Sequence, residues 1–340
     1  MDIFFHPDQE LHRPRTEIFG GEMIPPFEAP SRAGQILAAL GHHGAATHPG
    51  ACDMARLTAH DPSYLAFLRD CWSDWTAAGF TGEAHPTAMP LPNGIPARCP
   101  DHIEGRIGYF AASGESAIMR HTWPAILASA ASAQAAADRV TAGARAAFAL
   151  CRPPGHHAMH ARFGGYCYLN NAAIAVECLR GAGAARVAVL DIDFHHGNGT
   201  QDIFYHRGDV LFASIHGTPA QAYPFFVGHA EETGAGDGAG TNLNLPLPPG
   251  TDFAGWSAAL ATAITRIRDW GTDALVISLG VDTCEDDPQS FFRIAAEDFR
   301  RIGARIAALR LPSVFVMEGG YGGGDLGGHV ARVLGGFEDA

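Results

Sequence analysis

Residues 186–200 read R-V-A-V-L-D-I-D-F-H-H-G-N-G-T, an apolar run that ends in two carboxylates, two imidazoles and a Gly-Asn-Gly turn. A strand covered on both faces reads as an uninterrupted apolar run, so this stretch predicts a buried parallel strand handing polar side chains to one edge of a sheet. Open α/β sheets keep their chemistry at that C-terminal edge. Because strand side chains alternate, Asp191, Asp193 and His195 share one side while Ile192 and Phe194 pack on the other.

The rest of the chain supplies the layers such a strand needs. Ile3–Phe5 is a short strand, followed by a turn-rich loop through Pro30 that contains T-E-I-F-G-G-E-M-I-P-P-F-E at 16–28. Its prolines and glycines exclude a helix and leave a shaped loop with acidic side chains. Ser31–Leu40 predicts a helix stopped at Gly41, and a second helix starts at His60-Asp61-Pro62 with a capping residue ahead of apolar positions. From 79 to 121 periodicity is lost among Pro86, Pro90, Pro92, Pro96 and Pro100; the apolar Ile107-Gly108-Tyr109-Phe110 predicts a structured insertion. Thr122 is expected to cap an Ala-rich helix over Pro124–Val140. Strands over 146–150, 210–214, 274–279 and 314–317 then alternate with helices over 170–180, 253–270 and 298–309. This alternation predicts an α/β fold with a central, mostly parallel sheet and helices on both faces. Without an internal repeat or linker, residues 1–340 read as a single domain.

A formal net charge of −13 disfavours nucleic acid and anionic membranes as partners and favours cationic ligands. All 23 basic residues are arginine. Seven cysteines without C-x-x-C spacing argue against a disulfide framework and for a reducing compartment. The first residues lack the basic and apolar regions of a signal peptide, and no apolar run of about 18 residues suits a membrane span. The cytoplasm is the expected location.

The chemistry-bearing residues sit at strand ends. Asp193 and His195 follow one strand, and Asp282 follows the strand that ends in S-L-G-V-D-T. Two carboxylates and an imidazole with room for water describe a catalytic Zn²⁺ site. His156-His157 follow another strand through a Pro-Pro-Gly turn, and a neutral imidazole there suits a general base. Asp191 and Asn198 are candidates to orient these rings. Tyr321 of E-G-G-Y follows the last strand, where its hydroxyl could donate to a developing oxyanion.

R-P-P-G-H-H at 152–157, G-G-Y-C-Y-L-N-N-A-A at 164–173, D-I-D-F-H-H-G-N-G-T at 191–200, S-L-G-V-D-T at 278–283 and M-E-G-G-Y at 317–321 together resemble the zinc-dependent histone deacetylase superfamily. The loop at 16–28 and the insertion segment D-H-I-E-G-R-I-G-Y-F further resemble its bacterial acetylpolyamine amidohydrolases. The resemblance implies an arginase/deacetylase-like fold and one Zn²⁺ on Asp193, His195 and Asp282. It makes His157 the general base and acid, His156 an electrostatic helper oriented by Asp191, and Tyr321 the oxyanion donor. Asn198 stands where the classical deacetylase branch has Asp, so the His157 imidazolium should be less stabilised. The resemblance also implies a K⁺ or Na⁺ site at Asp191, Asp193, His195, Ser214 and Ile215, with an outer site at the carbonyls of Phe204, Arg207 and Val210. Gly165, Tyr166 and Tyr223 match the tunnel walls, Tyr223 replacing an expected Phe. Gln289 stands where a related polyamine-selective deacetylase has an acidic gatekeeper.

The reaction implied is hydrolysis of an acetamide to a primary amine and acetate. Glu17, Glu104 and Glu115 lie in segments expected at the entrance, where they could pair with the ammonium groups of an acetylated polyamine. The insertion is expected to form a homodimer contact that constricts the tunnel. A broader acyl-lysine or acylamide hydrolase is the main alternative. A two-Mn²⁺ ureohydrolase is disfavoured because His196 stands where a further Asp is wanted. A non-catalytic binding module would normally have lost a ligand, His157 or Tyr321, and all are present.

Overall fold

The apolar runs pair into one parallel sheet. The computed structural model describes residues 1–90, 95–322 and 324–340, so Pro92 lies outside the described residues. The sheet strands are β1 (Asp2–Phe4), β4 (Ala146–Ala149), β5 (Val187–Asp191), β6 (Val210–Gly217), β7 (Asn242–Leu247), β8 (Ala274–Leu279) and β9 (Ser313–Met317). Their spatial order is β1-β4-β9-β8-β5-β6-β7, with every pairing parallel. Asp191 at the end of β5 is in register with Ser278 on β8 and Ser214 on β6, and Leu279 on β8 with Met317 on β9. The segments leaving β5, β8 and β9 therefore emerge side by side at one edge.

Both sheet faces are covered, as the unbroken apolar runs require. Val187 and Val189 pack in a core with residues of α2 (Pro62–Ala77), α4 (Thr122–Thr141) and α5 (Asn171–Gly181). Ala188, Leu190, Ile192 and Phe194 pack in the opposite core with residues of α1 (Ser31–Ala39), α7 (Phe253–Asp269), α8 (Asp298–Ala307) and α9 (Leu326–Glu338). The expected alternation thus continues past the last paired residue of β5. Each fully buried Leu, Ile, Val or Phe contributes about 1.5–3 kcal/mol, so the two cores hold this edge rigid.

Several elements differ from the sequence reading. The acidic loop is a hairpin of β2 (Glu17–Phe19) and β3 (Glu22–Ile24), with Gly20 and Gly21 at φ +59° and +85°. A two-residue turn with positive φ at both positions matches the twist of paired strands, and Pro25-Pro26 come only after it. Among the described residues of the insertion, α3 (Ile103–Tyr109) buries Ile103 and Ile107, and its flanks bridge Ala84 to Ile118 and Ala111 to Phe163. Thr122 does not cap α4; its buried hydroxyl accepts from Met119 N at 2.8 Å and meets His12 Nδ1 at 3.0 Å. Tertiary partners have taken the group that would have capped. The sequence reading also missed β7, α6 (Asn198–Phe204) and the Gly-rich α9. Glycine is a poor helix former, yet α9 needs it: a Cβ on Gly336 would sit 2.0 Å from the Arg300 carbonyl of α8. No helix among the described residues is long and apolar enough to cross a membrane.

Candidate active site

Beyond β5 the chain folds its own carboxylates back onto its amides. Asp191 Oδ1 accepts from Asp193 N at 3.1 Å, and Asp193 Oδ1 accepts from His195 N at 2.8 Å. From the neighbouring strands, Gly319 N donates to Asp193 Oδ2 at 2.7 Å, and Phe194 N donates to Asp282 Oδ1 at 2.8 Å. These bonds bring Asp193, His195 and Asp282 together, all buried, with one donor atom from each within 4.8 Å of the others. His195 Nδ1 lies 3.1 Å from Asp282 Oδ2 and 3.3 Å from Asp193 Oδ1.

The cluster fits a divalent cation. Burial raises Asp282 to about 7, with Asp193 adding to the effect, while interactions with His156 and His195 outweigh burial and hold Asp193 well below the usual carboxylate range. Two buried carboxylates repel unless a cation lies between them, and among the described residues no arginine forms an ion pair with either. The backbone leaves room for them: a Cβ on Gly280 would lie 2.0 Å from Asp193 Oδ2, and one on Gly319 2.4 Å from Asp282 Oδ2. Two carboxylate oxygens and an imidazole nitrogen form a donor set suited to Zn²⁺ with an open position.

The segment after β4 brings the other two histidines. Glu318, at the end of β9, accepts from Gly155 N at 2.7 Å and His156 N at 3.1 Å, tying this loop to the sheet edge. His156 Nδ1 lies 3.0 Å from Asp191 Oδ2, and His157 Nδ1 lies 2.6 Å from Asn198 Oδ1. An amide oxygen can only accept, so His157 carries its proton on Nδ1 and keeps Nε2 as a lone pair. For His156, burial opposes the charge but Asp193 and Asp191 outweigh it and raise the ring to about 10. Burial, then His156 and His195, push His157 well below its ordinary value. One ring is cationic beside one that is neutral, a division suited to electrostatic stabilisation and proton transfer.

Tyr321 is fixed by Asp287, whose Oδ2 accepts from Tyr321 N at 2.7 Å and Gly322 N at 3.1 Å. Burial keeps its phenol protonated. Arg32 lies over the Tyr321 ring, 4.9 Å from its centroid, and donates to the Gly320 and Glu318 carbonyls at 2.7 and 2.6 Å. Glu28 pairs with Arg32 at 3.1 Å and Arg152 at 2.9 Å, linking the segment after the hairpin to the floor of the site. The sequence reading missed Glu318, Asp287 and this buried triad. The one signal available was that Glu28 and Glu318 stand inside motifs already singled out.

A cavity of about 410 Å³ meets this machinery, lined by His157, His195, Tyr321, Gly165, Tyr166, Tyr223, Glu17, Glu115 and Gln289 among others. Tyr166 stands 5.6 Å from Tyr321 between ring centroids, and Tyr223 stands 4.9 Å from His157, nearly perpendicular to it. Glu17 is buried in the wall beside the Tyr166 hydroxyl and the Phe27 amide, and burial outweighs both and raises it to about 7. Gln289 Nε2 is unpartnered. Glu115 Oε1 instead accepts from Ser113, Ser116 and the Gly165 amide. Glu104 does not join this cavity: it is exposed on α3, its carboxylate 3.5 Å from the Thr87 hydroxyl. Register places Ser214 beside Asp191, but the Ser214 hydroxyl bonds His216 Nδ1 at 2.9 Å and the Asp191 oxygens serve His156 and the Asp193 amide. Phe204 ends α6, Val210 begins β6 and the Arg207 carbonyl accepts from Thr241 Oγ1 at 3.1 Å; K⁺ or Na⁺ has no independent support.

Comparison with known proteins agrees with this geometry. Residues 26–336 match the histone deacetylase domain. An acetylpolyamine amidohydrolase of Mycoplana ramosa is 51% identical over 98% of both chains. Acetylpolyamine amidohydrolase 1 of Pseudomonas aeruginosa is 48% identical over 99% of this chain and 98% of its own length. The crystal structure of acetylpolyamine aminohydrolase from Burkholderia pseudomallei superposes with a TM-score of 0.93 at 44% identity, covering 99% of this chain and 98% of that one. With the fold, the strand-edge cluster and the full-length similarity in agreement, the chain belongs to the histone deacetylase domain family of hydrolytic enzymes.

Proposed function

We propose that this chain hydrolyses the acetamide bond of acetylated polyamines or small acetylated diamines, releasing the free amine and acetate with the help of one Zn²⁺. The observation that carries the reading is Glu17, a buried carboxylate in an aromatic-walled cavity that reaches His195 of the Asp193, His195 and Asp282 cluster. A buried carboxylate with no cation beside it is costly to ionise, and an ammonium on a flexible alkyl chain supplies that cation. The names of the full-length relatives support the same substrate class.

Asp193, His195 and Asp282 would hold the zinc ion, which supplies Lewis-acid activation of the carbonyl and of the attacking water. His157 Nε2 takes the proton from that water while Asn198 holds the ring in the required tautomer. Attack makes the carbonyl carbon tetrahedral, and the Tyr321 hydroxyl donates to the oxygen gaining charge. The cationic His156, oriented by Asp191, adds positive potential to the same region. Protonated His157 then delivers its proton to the departing amine. Tyr166 and Tyr223 shed water from the methylene chain, Gly165 keeps the loop clear of His157, and Gln289 borders the opening.

We further propose that the chain acts as one catalytic domain in the cytoplasm and as a homodimer, in keeping with its free cysteines and its exposed Phe226 and Met23. Monovalent-cation sites rest on the family resemblance alone. The test is a panel of acetylputrescine, acetylcadaverine, acetylspermidine and an acetyl-lysine peptide with zinc-loaded protein. Preference for the polyamines by kcat/KM is expected. Preference for the peptide would replace this reading with a broader acyl-lysine hydrolase, and sedimentation as a monomer would remove the homodimer.

A further inference from the structure

Three segments distant in sequence enclose the cavity: the end of the insertion at 110–116, the Gly-Gly-Tyr loop at 164–166, and the loop after β6 that carries Tyr223. The first two are fastened together through their backbones. Ala112 N donates to the Phe163 carbonyl at 2.7 Å, Phe163 N to the Phe110 carbonyl at 2.9 Å, and Tyr166 N to Ser116 Oγ at 2.8 Å. The third segment is held at its far end, where Gly228 N donates to Glu232 Oε2 at 2.9 Å and its carbonyl accepts from His216 Nε2 at 2.8 Å. Near the cavity its backbone bonds are local, Gln221 and Ala222 to Thr218, Phe225 to Ala222 and Phe226 to Pro224. Among the described residues, one hydrogen bond joins residues 219–227 to the insertion, the 3.0 Å contact between Tyr223 Oη and Ser113 Oγ.

The direction of that bond follows from its neighbours. Ser113 Oγ lies 2.6 Å from Glu115 Oε1, a carboxylate oxygen that accepts, so the serine proton points there. Ser113 Oγ is left to accept, and the Tyr223 phenol must donate. Gly165 N donates to both Ser113 Oγ, at 3.2 Å, and Glu115 Oε1. The polar chain runs Tyr223 to Ser113 to Glu115, with the Gly165 amide fastened at its end. A Cβ on Gly164 would lie 2.4 Å from Ser113 Oγ, so the two segments are also in steric contact.

We propose that Tyr223, Ser113 and Glu115 form a clamp that closes the ring of segments around the substrate cavity. Tyr223 is thereby a positioning residue for His157, and Glu115 serves as the anchor of the cavity wall. The clamp rests on the reading of this cavity as the acetamide site. It gives Glu115 an anchoring role through Oε1, which receives the Ser113 and Ser116 hydroxyls and the Gly165 amide, and leaves Oε2 to the cavity. Breaking the Tyr223–Ser113 bond frees the edge of the Tyr223 ring that packs against His157 at 4.9 Å. The general base then samples more orientations, and the loss falls on kcat more than on KM.

The test uses zinc-loaded full-length protein and two substrates with the same four-carbon chain, acetylputrescine and the uncharged N-butylacetamide. Tyr223→Phe and Ser113→Ala should each lower kcat by roughly 3- to 10-fold on both substrates, the size of one net hydrogen bond. The double variant should lose no more than the worse single, and Ser113→Thr, which keeps the hydroxyl, should recover most of the loss. Additive single losses, or a Ser113→Thr variant as slow as Ser113→Ala, would overturn the clamp. A wild-type protein that turns over N-butylacetamide but not acetylputrescine would refute the polyamine reading, while the cycle on the neutral amide still decides the clamp.

Discussion

Replacing Glu318 by Gln tests whether the loop bearing His156 and His157 is held by an ionised group at an energetic cost. Glu318 is fully buried and receives the Gly155 and His156 amides at 2.7 and 3.1 Å and the Ser278 hydroxyl at 3.2 Å. Burial raises its pKa from 4.5 to about 7, with Asp191 adding to the effect and His156 and the backbone amides opposing it. A carboxyl raised on folding keeps its full stability contribution below the unfolded pKa and loses it as pH rises through the folded one. The shift from 4.5 to about 7 corresponds to about 3 kcal/mol, lost across that window. Gln keeps an oxygen for the two amides and an amino group that can reach the Ser278 hydroxyl, but it does not ionise. In metal-free protein, the stability of Glu318→Gln relative to wild type should therefore grow by about 3 kcal/mol between pH 4 and pH 8. Urea unfolding of both proteins at the two pH values measures it. A difference that does not change with pH, or that shrinks, would refute the reasoning.

Asn198→Asp places a charge on His157 Nδ1–H, raising the imidazole and moving the acidic limb of kcat/KM to higher pH; an unmoved limb would count against His157 as the base. Gly165→Ala puts a Cβ 2.3 Å from the His157 ring at a position with φ +56°, so kcat should fall by roughly 100-fold while stoichiometric zinc binding persists; near-normal turnover would contradict the packing. Zinc at 1,000 times its Kd should stabilise wild type by about 4 kcal/mol and Asp282→Ala far less, as thermal melts with and without metal would reveal. Glu17→Gln should raise KM for acetylputrescine roughly 10-fold at pH 8 and less at pH 6, because Glu17 ionises near pH 7; equal effects at both pH values would remove its charge from the argument.

The strand leading to Asp191, and the convergence of Asp193, His195 and Asp282 at its edge, were legible from residue order alone. Alternation along β5 sorted the clustered polar groups from core, and a carboxylate just past the end of a parallel strand has one edge to go to. His156 and His157 with their partners Asp191 and Asn198 were legible for the same reason, since each pair stands at a strand end or helix start. What sequence order left open was set by contacts between segments far apart in the chain. Glu318 reaches Gly155 across 163 positions because β4 and β9 are neighbours in the sheet, and no local pattern encodes that adjacency. Glu104 and Glu115 looked equivalent as acidic residues of one insertion. Folding exposed the first on α3 and joined the second to Ser113 and Gly165, because burial and hydrogen-bond partners depend on which segments meet. Local order chose the chemical groups at the sheet edge; the packing of strands, insertion and hairpin around that edge decided which groups are free to meet a substrate.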